Sequence, residues 1–199
     1  MTAALNWFVL LLTIFTATGL LFSRNWRWSL GLLTLQFLSV FWMAQAHWPV
    51  SMAATKLVTG WMACAVLGIA QLNWAAKEGN VGIEAKGHWQ QGRLFHFFAA
   101  GMVLAAAFAL STYLETWLGL SLPIAWGGLV LIGLGLIHLG ITSDPFQVIV
   151  GLLTVMAGFE VLYAAVESSA LVTALLAVTN LGLALAGAYF VNYSQEKTQ

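Results

Sequence analysis

Apolar residues fall in seven long runs, separated by short polar breaks. A helix that crosses a bilayer needs about 20 mostly apolar residues. The runs predict helices over about 5–22, 29–46, 51–73, 94–113, 124–141, 146–166 and 170–192. The breaks carry turn residues: Ser23-Arg24-Asn25-Trp26-Arg27-Trp28, His47-Trp48-Pro49, Thr142-Ser143-Asp144-Pro145 and Glu167-Ser168-Ser169. Residues 115–123 form a further loop, which still carries Trp117, and 77–93 is the one long polar stretch. No basic segment precedes the first apolar run and no clear cleavage site follows it. That run is therefore expected to be a retained helix, not a signal peptide.

Composition sharpens this pattern into a class. The 199 residues are 61% hydrophobic and 7% charged, whereas soluble domains carry about 25% charged residues. So few charges cannot cover a globule, and the expected fold is an all-α integral membrane protein of about seven transmembrane helices. Seven Lys and Arg balance seven Asp and Glu, with no bias toward nucleic acid. The single Cys64 excludes an internal disulfide and any multi-cysteine cluster. No Gly-rich phosphate loop, HExxH motif or nucleophile elbow occurs, so no catalytic residue or metal site is predicted.

Charge distribution predicts orientation. With seven spans, Arg24, Arg27, Lys77, Lys86, Arg93 and Lys197 all fall on the side of the C-terminus, which is then cytoplasmic with the N-terminus outside. Trp7, Trp26, Trp28, Trp48, Trp74, Trp89 and Trp117 cluster near helix ends, as interface anchors do. The chain also echoes itself: Leu30-Gly31-Leu32-Leu33-Thr34 returns as Val150-Gly151-Leu152-Leu153-Thr154, an offset of 120 residues that also superposes two turns. Two parallel three-helix repeats joined by one helix follow, with residues 1–76 as the first unit. Residues 77–93 form a cytoplasmic loop expected to dock partners, 94–123 the linking helix and outer loop, and 124–199 the second unit.

Few polar side chains fall inside the apolar runs, and these are the candidate chemistry. Lys56 lies five residues inside the third helix, about 8 Å deep, and Glu160 seven residues from the end of the sixth, about 10 Å deep. Charges within a membrane are expensive and mark functional sites unless they snorkel to the interface. Lys56 can do either, whereas the short stem of Glu160 leaves it neutral or paired. Their similar depth predicts a pair, or a short polar path bridged by water or Gln36. Gln36, Thr179 and Asn180 are further candidates for that path, with interhelical packing as the alternative role. His96 and His138, near one surface on consecutive helices, are the only arrangement that suggests a haem, as a pair of axial ligands.

Gln36 with its apolar run and Ala53-Ala54-Thr55-Lys56-Leu57-Val58 resemble component E of hydrogenase-4, the seven-helix membrane subunit of group 4 hydrogenase and formate hydrogenlyase complexes. Gln147 to Gly151, Gly158 and Thr179-Asn180 are similar to its C-terminal half. That half is in turn similar to the K subunit of complex I and the C subunit of multisubunit sodium/proton antiporters. The resemblance covers most of the chain, least so in the fourth helix. It implies a subunit with no redox centre or cofactor of its own in a prokaryotic inner membrane. Its partners would be antiporter-like membrane subunits and peripheral redox subunits on the cytoplasmic side. Two family carboxylates are replaced: Met156-Ala157-Gly158 stands where the family has Glu-Asn-Gly, and Asn180 stands near an acid of the last helix. Glu160, one turn after Met156 on the same face, is positioned to stand in. A haem or quinol-binding membrane protein and a purely structural scaffold are the competing expectations.

Overall fold

The computed structural model describes residues 2–23, 25–77 and 89–196. Among them are seven helices and no strand: α1 Thr2–Phe22, α2 Trp26–Ala44, α3 Val50–Lys77, α4 Trp89–Leu118, α5 Leu122–Ile141, α6 Pro145–Tyr163 and α7 Ala170–Glu196. The protein is an all-α membrane bundle.

Several ends differ from the apolar runs, for local reasons. Helix α4 begins at Trp89, inside the stretch expected as a loop, because Gln90, Gln91 and Arg93 are good helix formers. It also runs on to Leu118 through Glu115 and Thr116, and Thr116 Oγ1 donates back to Tyr113 O at 2.8 Å. It stops where Gly119 turns to a left-handed φ of 65°. Helix α2 takes in Trp26 and the two residues after it, which the sequence placed in a turn. Helix α6 ends at Tyr163, and the next residues tighten into a turn in which Val166 N–H donates to Tyr163 O at 2.9 Å. Pro123 and Pro145 occupy the first turns of α5 and α6, where no backbone N–H is needed. Residues 78–88 of the expected docking loop lie outside the described residues.

Six helices are long and apolar enough to cross a membrane: α1 and α3 to α7. Helix α2 is the exception, with Arg27, Ser29, Gln36 and Ser39 along its 19 residues. Its position accounts for this. It lies between α1 and α3 and packs against α6, and Ser29, Gln36 and Ser39 are buried there. Neighbouring protein, not lipid, meets these three side chains, and Arg27 is exposed near the start of the helix.

The first triplet of helices stacks on the second. Helix α1 packs on α5, α2 on α6 and α3 on α7, while α4 lies outside against α5. Helices α2 and α6 run in the same direction. At one end Gln147 of α6 donates to Ser29 of α2. At the other, Trp48 Nε1, just past α2, donates to Glu167 O, just past α6, at 2.9 Å. Trp48 is therefore no interface anchor. It is 4% exposed, drawn inward because the α6–α7 turn offers a carbonyl that needs a donor. Trp7, Trp28 and Trp117 are exposed.

Helices α5 and α6 approach closely enough for their backbones to touch. A Cβ on Gly158 would lie 2.6 Å from Gly128 O, and one on Gly135 would lie 3.0 Å from Val155 N. Small residues at such crossings are how membrane helices gain packing energy where lipid removes the hydrophobic drive.

Candidate functional site

Near the Trp48 end, three helices direct one polar residue each to a common point. On α3 the buried stripe is Ala53, Lys56, Ala63 and Leu67, spaced three, four and seven apart so that Lys56 faces inward. On α6 it is Leu153, Ala157 and Glu160, continued by Ala164 just past the helix end, and on α7 Thr173, Ala177, Asn180 and Ala184. Small neighbours let the helices close around the polar groups.

Lys56 Nζ donates to Glu160 Oε1 at 2.6 Å. Asn180 Nδ2 donates to the same oxygen at 2.9 Å. Lys56 and Glu160 are each 2% exposed and Asn180 is fully buried. Lys56 does not snorkel: its ammonium points into the bundle, because its helix packs on α7 and the long side chain reaches Glu160 of α6. Two opposite charges shielded from water attract far more strongly than at a surface. Each offsets part of the other's desolvation cost, so losing either strands the other. A proton can pass between Nζ and Oε1 along the existing hydrogen bond, converting two charges into two neutral groups with no change of net charge.

The site is not saturated. Glu160 Oε2 and Asn180 Oδ1 are buried without a hydrogen-bond partner, as are both amide atoms of Gln36. Phe37, next to Gln36, packs against Gly60 of α3. Gly60 is one turn beyond Lys56, so the Gln36 level is about 6 Å further into the bundle. There Ser39 Oγ donates to Gln36 O at 2.8 Å, and Thr13 Oγ1 of α1 lies 3.1 Å from Ser39 Oγ. Buried polar atoms left open in this way are where internal water binds.

The remaining candidates fall elsewhere. Thr179 is exposed and donates to Leu175 O at 2.9 Å, so it faces the periphery and does not join the cluster. The α7 stripe that carries Asn180 turns its neighbour outward. His138 packs on Gly151 of α6, whereas His96 of α4 stands beside Phe22 of α1 with ring centroids 6.4 Å apart. Among the described residues, no three His, Cys, Asp or Glu side chains gather where a metal ion could bind.

Two features escape a reading of the sequence alone: Asn180 as a direct ligand of the Glu160 carboxylate, and Gln147 with Ser29 as a second buried polar pair, at 3.3 Å. The one signal that points to them is stripe position, since each lies on its helix among small or apolar residues at three- and four-residue spacing. Compared with family models, curated proteins and solved structures, the chain matches none.

Proposed function

We propose that the chain is a membrane subunit, without a redox centre of its own, of a complex I-like or group 4 hydrogenase-like respiratory complex. In this reading the complex couples electron transfer to ion translocation, and the chain packs beside antiporter-like subunits in a prokaryotic inner membrane. The observation that carries the proposal is the buried Lys56–Glu160 pair at 2.6 Å, with Glu160 Oε2 still open. A purely structural bundle gains little from such a pair, since apolar residues of similar volume are often as stable or more so. A pair that can gain or lose one proton, next to open acceptors, suits a relay. The hydrogen bond between Lys56 Nζ and Glu160 Oε1 is itself a path for a proton, so in this reading the coupled ion is a proton.

Two measurements test this reading. The tagged chain, extracted from its native membrane, should bring large multi-helix subunits with it; recovery alone overturns the subunit assignment. In the intact complex the double variant Lys56→Met/Glu160→Leu should assemble but lose proton pumping. Full pumping by that variant would make the pair a structural latch between the two helix triplets.

A further inference from the structure

The ion pair lies close to one end of the bundle, yet it is closed to the surface there. Lys56 is six residues past the start of α3, and Glu160 is three residues before the end of α6. One turn outward on the same stripes stand Ala53 and Ala164, and one turn outward of Asn180 stands Ala177. Alanine side chains are too short to fill the space between helix ends. By themselves they would leave a mouth above the charges.

Trp48 fills that space. It belongs to the turn between α2 and α3, and its backbone N–H donates to Ala44 O at 2.9 Å. It packs in one cluster with Ala44, Ala53 and Ala164, edged by Phe41, Met52 and Tyr163. It is the one large side chain among the four buried members of that cluster. The turn residues around it, His47, Pro49, Glu167 and Ser168, are exposed. The order from the surface inward is therefore exposed turns, then the indole and its alanines, then Lys56 and Glu160.

The opposite direction is sealed more deeply. Along the same stripes come Ala63 and Leu67 on α3, Leu153 and Ala157 on α6 and Ala184 on α7, all buried and apolar. The pair is one layer from the near surface and several from the far one. The near layer is also the one that can move. Its largest member is carried by a turn, and short turns open at lower cost than the helices they join. One side-chain hydrogen bond, from Nε1 to Glu167 O at 2.9 Å, holds the ring. Swinging the indole out breaks that bond and no backbone bond.

We infer that Trp48 is a plug on the Lys56–Glu160 pair: the indole closes the pair to the near surface, and the pair meets water there only when the indole swings out. In the proton-relay reading, on which the purpose of the plug rests, this fixes the side on which the pair exchanges its proton. The plug itself is a matter of access, which is measured without any pumping.

The full chain in lipid nanodiscs is treated with a charged, water-soluble thiol reagent, and labelling is read peptide by peptide by mass spectrometry. Ala164→Cys places a thiol in the wall that the ring covers. Ser51→Cys, in a parallel chain, places one at the exposed start of α3 as the reference. Native Cys64 is buried about two turns deeper than Lys56 and reports any general loosening. With Trp48 in place, the thiol of Ala164→Cys should react about tenfold or more slowly than the reference, because it must wait for local opening. Adding Trp48→Ala should speed it about tenfold or more while Cys64 stays unreactive. Adding Trp48→Phe, which keeps a ring and loses the bond to Glu167 O, should speed it by less. Ala53→Cys repeats the test from the α3 wall if Ala164→Cys does not fold. An unchanged rate in Trp48→Ala, or a covered thiol that matches the reference while Trp48 is in place, overturns the plug. If Trp48→Ala exposes Cys64 as well, Trp48→Phe decides: a rise confined to the covered thiol supports the plug, and no rise overturns it. A failed plug leaves the Lys56–Glu160 pumping tests standing, and a failed relay leaves the labelling result intact.

Discussion

The polar cluster near the Trp48 end is built from charges, the one near the Ser29 end from neutral groups, although both hang on α6. Glu160 and Gln147 are 13 residues apart on that helix, about 20 Å along its axis. The charged cluster is enclosed: Lys56, Glu160 and Asn180 sit where the inner stripes of three helices meet, at 2%, 2% and 0% exposure. The neutral cluster is joined by hydrogen bonds to an exposed turn. The difference follows from cost. An isolated charge in an apolar medium costs far more than a hydroxyl or amide, so the charges lie where protein surrounds them on all sides and pair with each other. Hydroxyls and amides tolerate an edge. The charged cluster also ties the two triplets together, since Lys56 of α3 in the first bonds Glu160 of α6 in the second.

The largest test of this contrast removes one charge. Glu160→Ala strands Lys56 and should cost about 3–5 kcal/mol, measured as the shift in unfolding free energy in mixed micelles. A loss well below that would mean that Lys56 escapes to the interface. The double variant Lys56→Met/Glu160→Leu should recover most of the loss, which only a coupled pair allows.

Next in size is the glycine contact that sets α5 against α6, and so holds Glu160 and Gln147 in place. Gly158→Val puts side-chain atoms where a Cβ alone would meet Gly128 O at 2.6 Å and Ile132 N at 2.8 Å. Both are backbone and cannot rotate away. A cost of about 1–3 kcal/mol is expected, together with faster hydrogen exchange along both helices. Unchanged exchange would show that the helices can separate without harm to either cluster.

Asn180→Leu removes one donor from Glu160 and leaves the ion pair. Hydrogen bonds between membrane helices average about 0.6 kcal/mol, with a maximum near 1.7 kcal/mol, so a small thermal shift is expected. A loss as large as that of Glu160→Ala would make Asn180 an equal member of the charged cluster. The smallest effect belongs to Thr179→Val, expected within about 0.5 kcal/mol because the side chain is peripheral. A larger loss would place a partner against that face of α7.

Much of this molecule can be read from residue order. Lys56 and Glu160 are each a few residues from turns on the same side of the bundle, and a helix converts residue count into depth at about 1.5 Å per residue. Their similar depth is therefore legible in the sequence. Azimuth is not. In a soluble helix, polar residues mark the outer face; in lipid the outer face is apolar too, and that signal disappears. Thr179 and Asn180 are adjacent and both polar, yet one faces out and the other binds the carboxylate. Trp48 resembles the other end-of-helix tryptophans in sequence because the carbonyl that draws it inward, that of Glu167, is 119 residues away.

Composition and apolar run length by themselves determined that the chain is a helical membrane protein, the order of its seven helices, and the similar depth of Lys56 and Glu160, because these depend on one dimension along the chain. Tertiary structure decided which helix faces which: α2 between α1 and α3 and against α6, although it alone of the seven described helices falls short of spanning apolarity, α3 laid against α7 so that its lysine reaches across to the glutamate of α6, and α5 close enough to α6 for a histidine to rest on a glycine. Those outcomes depend on packing between segments far apart in the chain, where small residues allow close approach, and no local pattern encodes the partner.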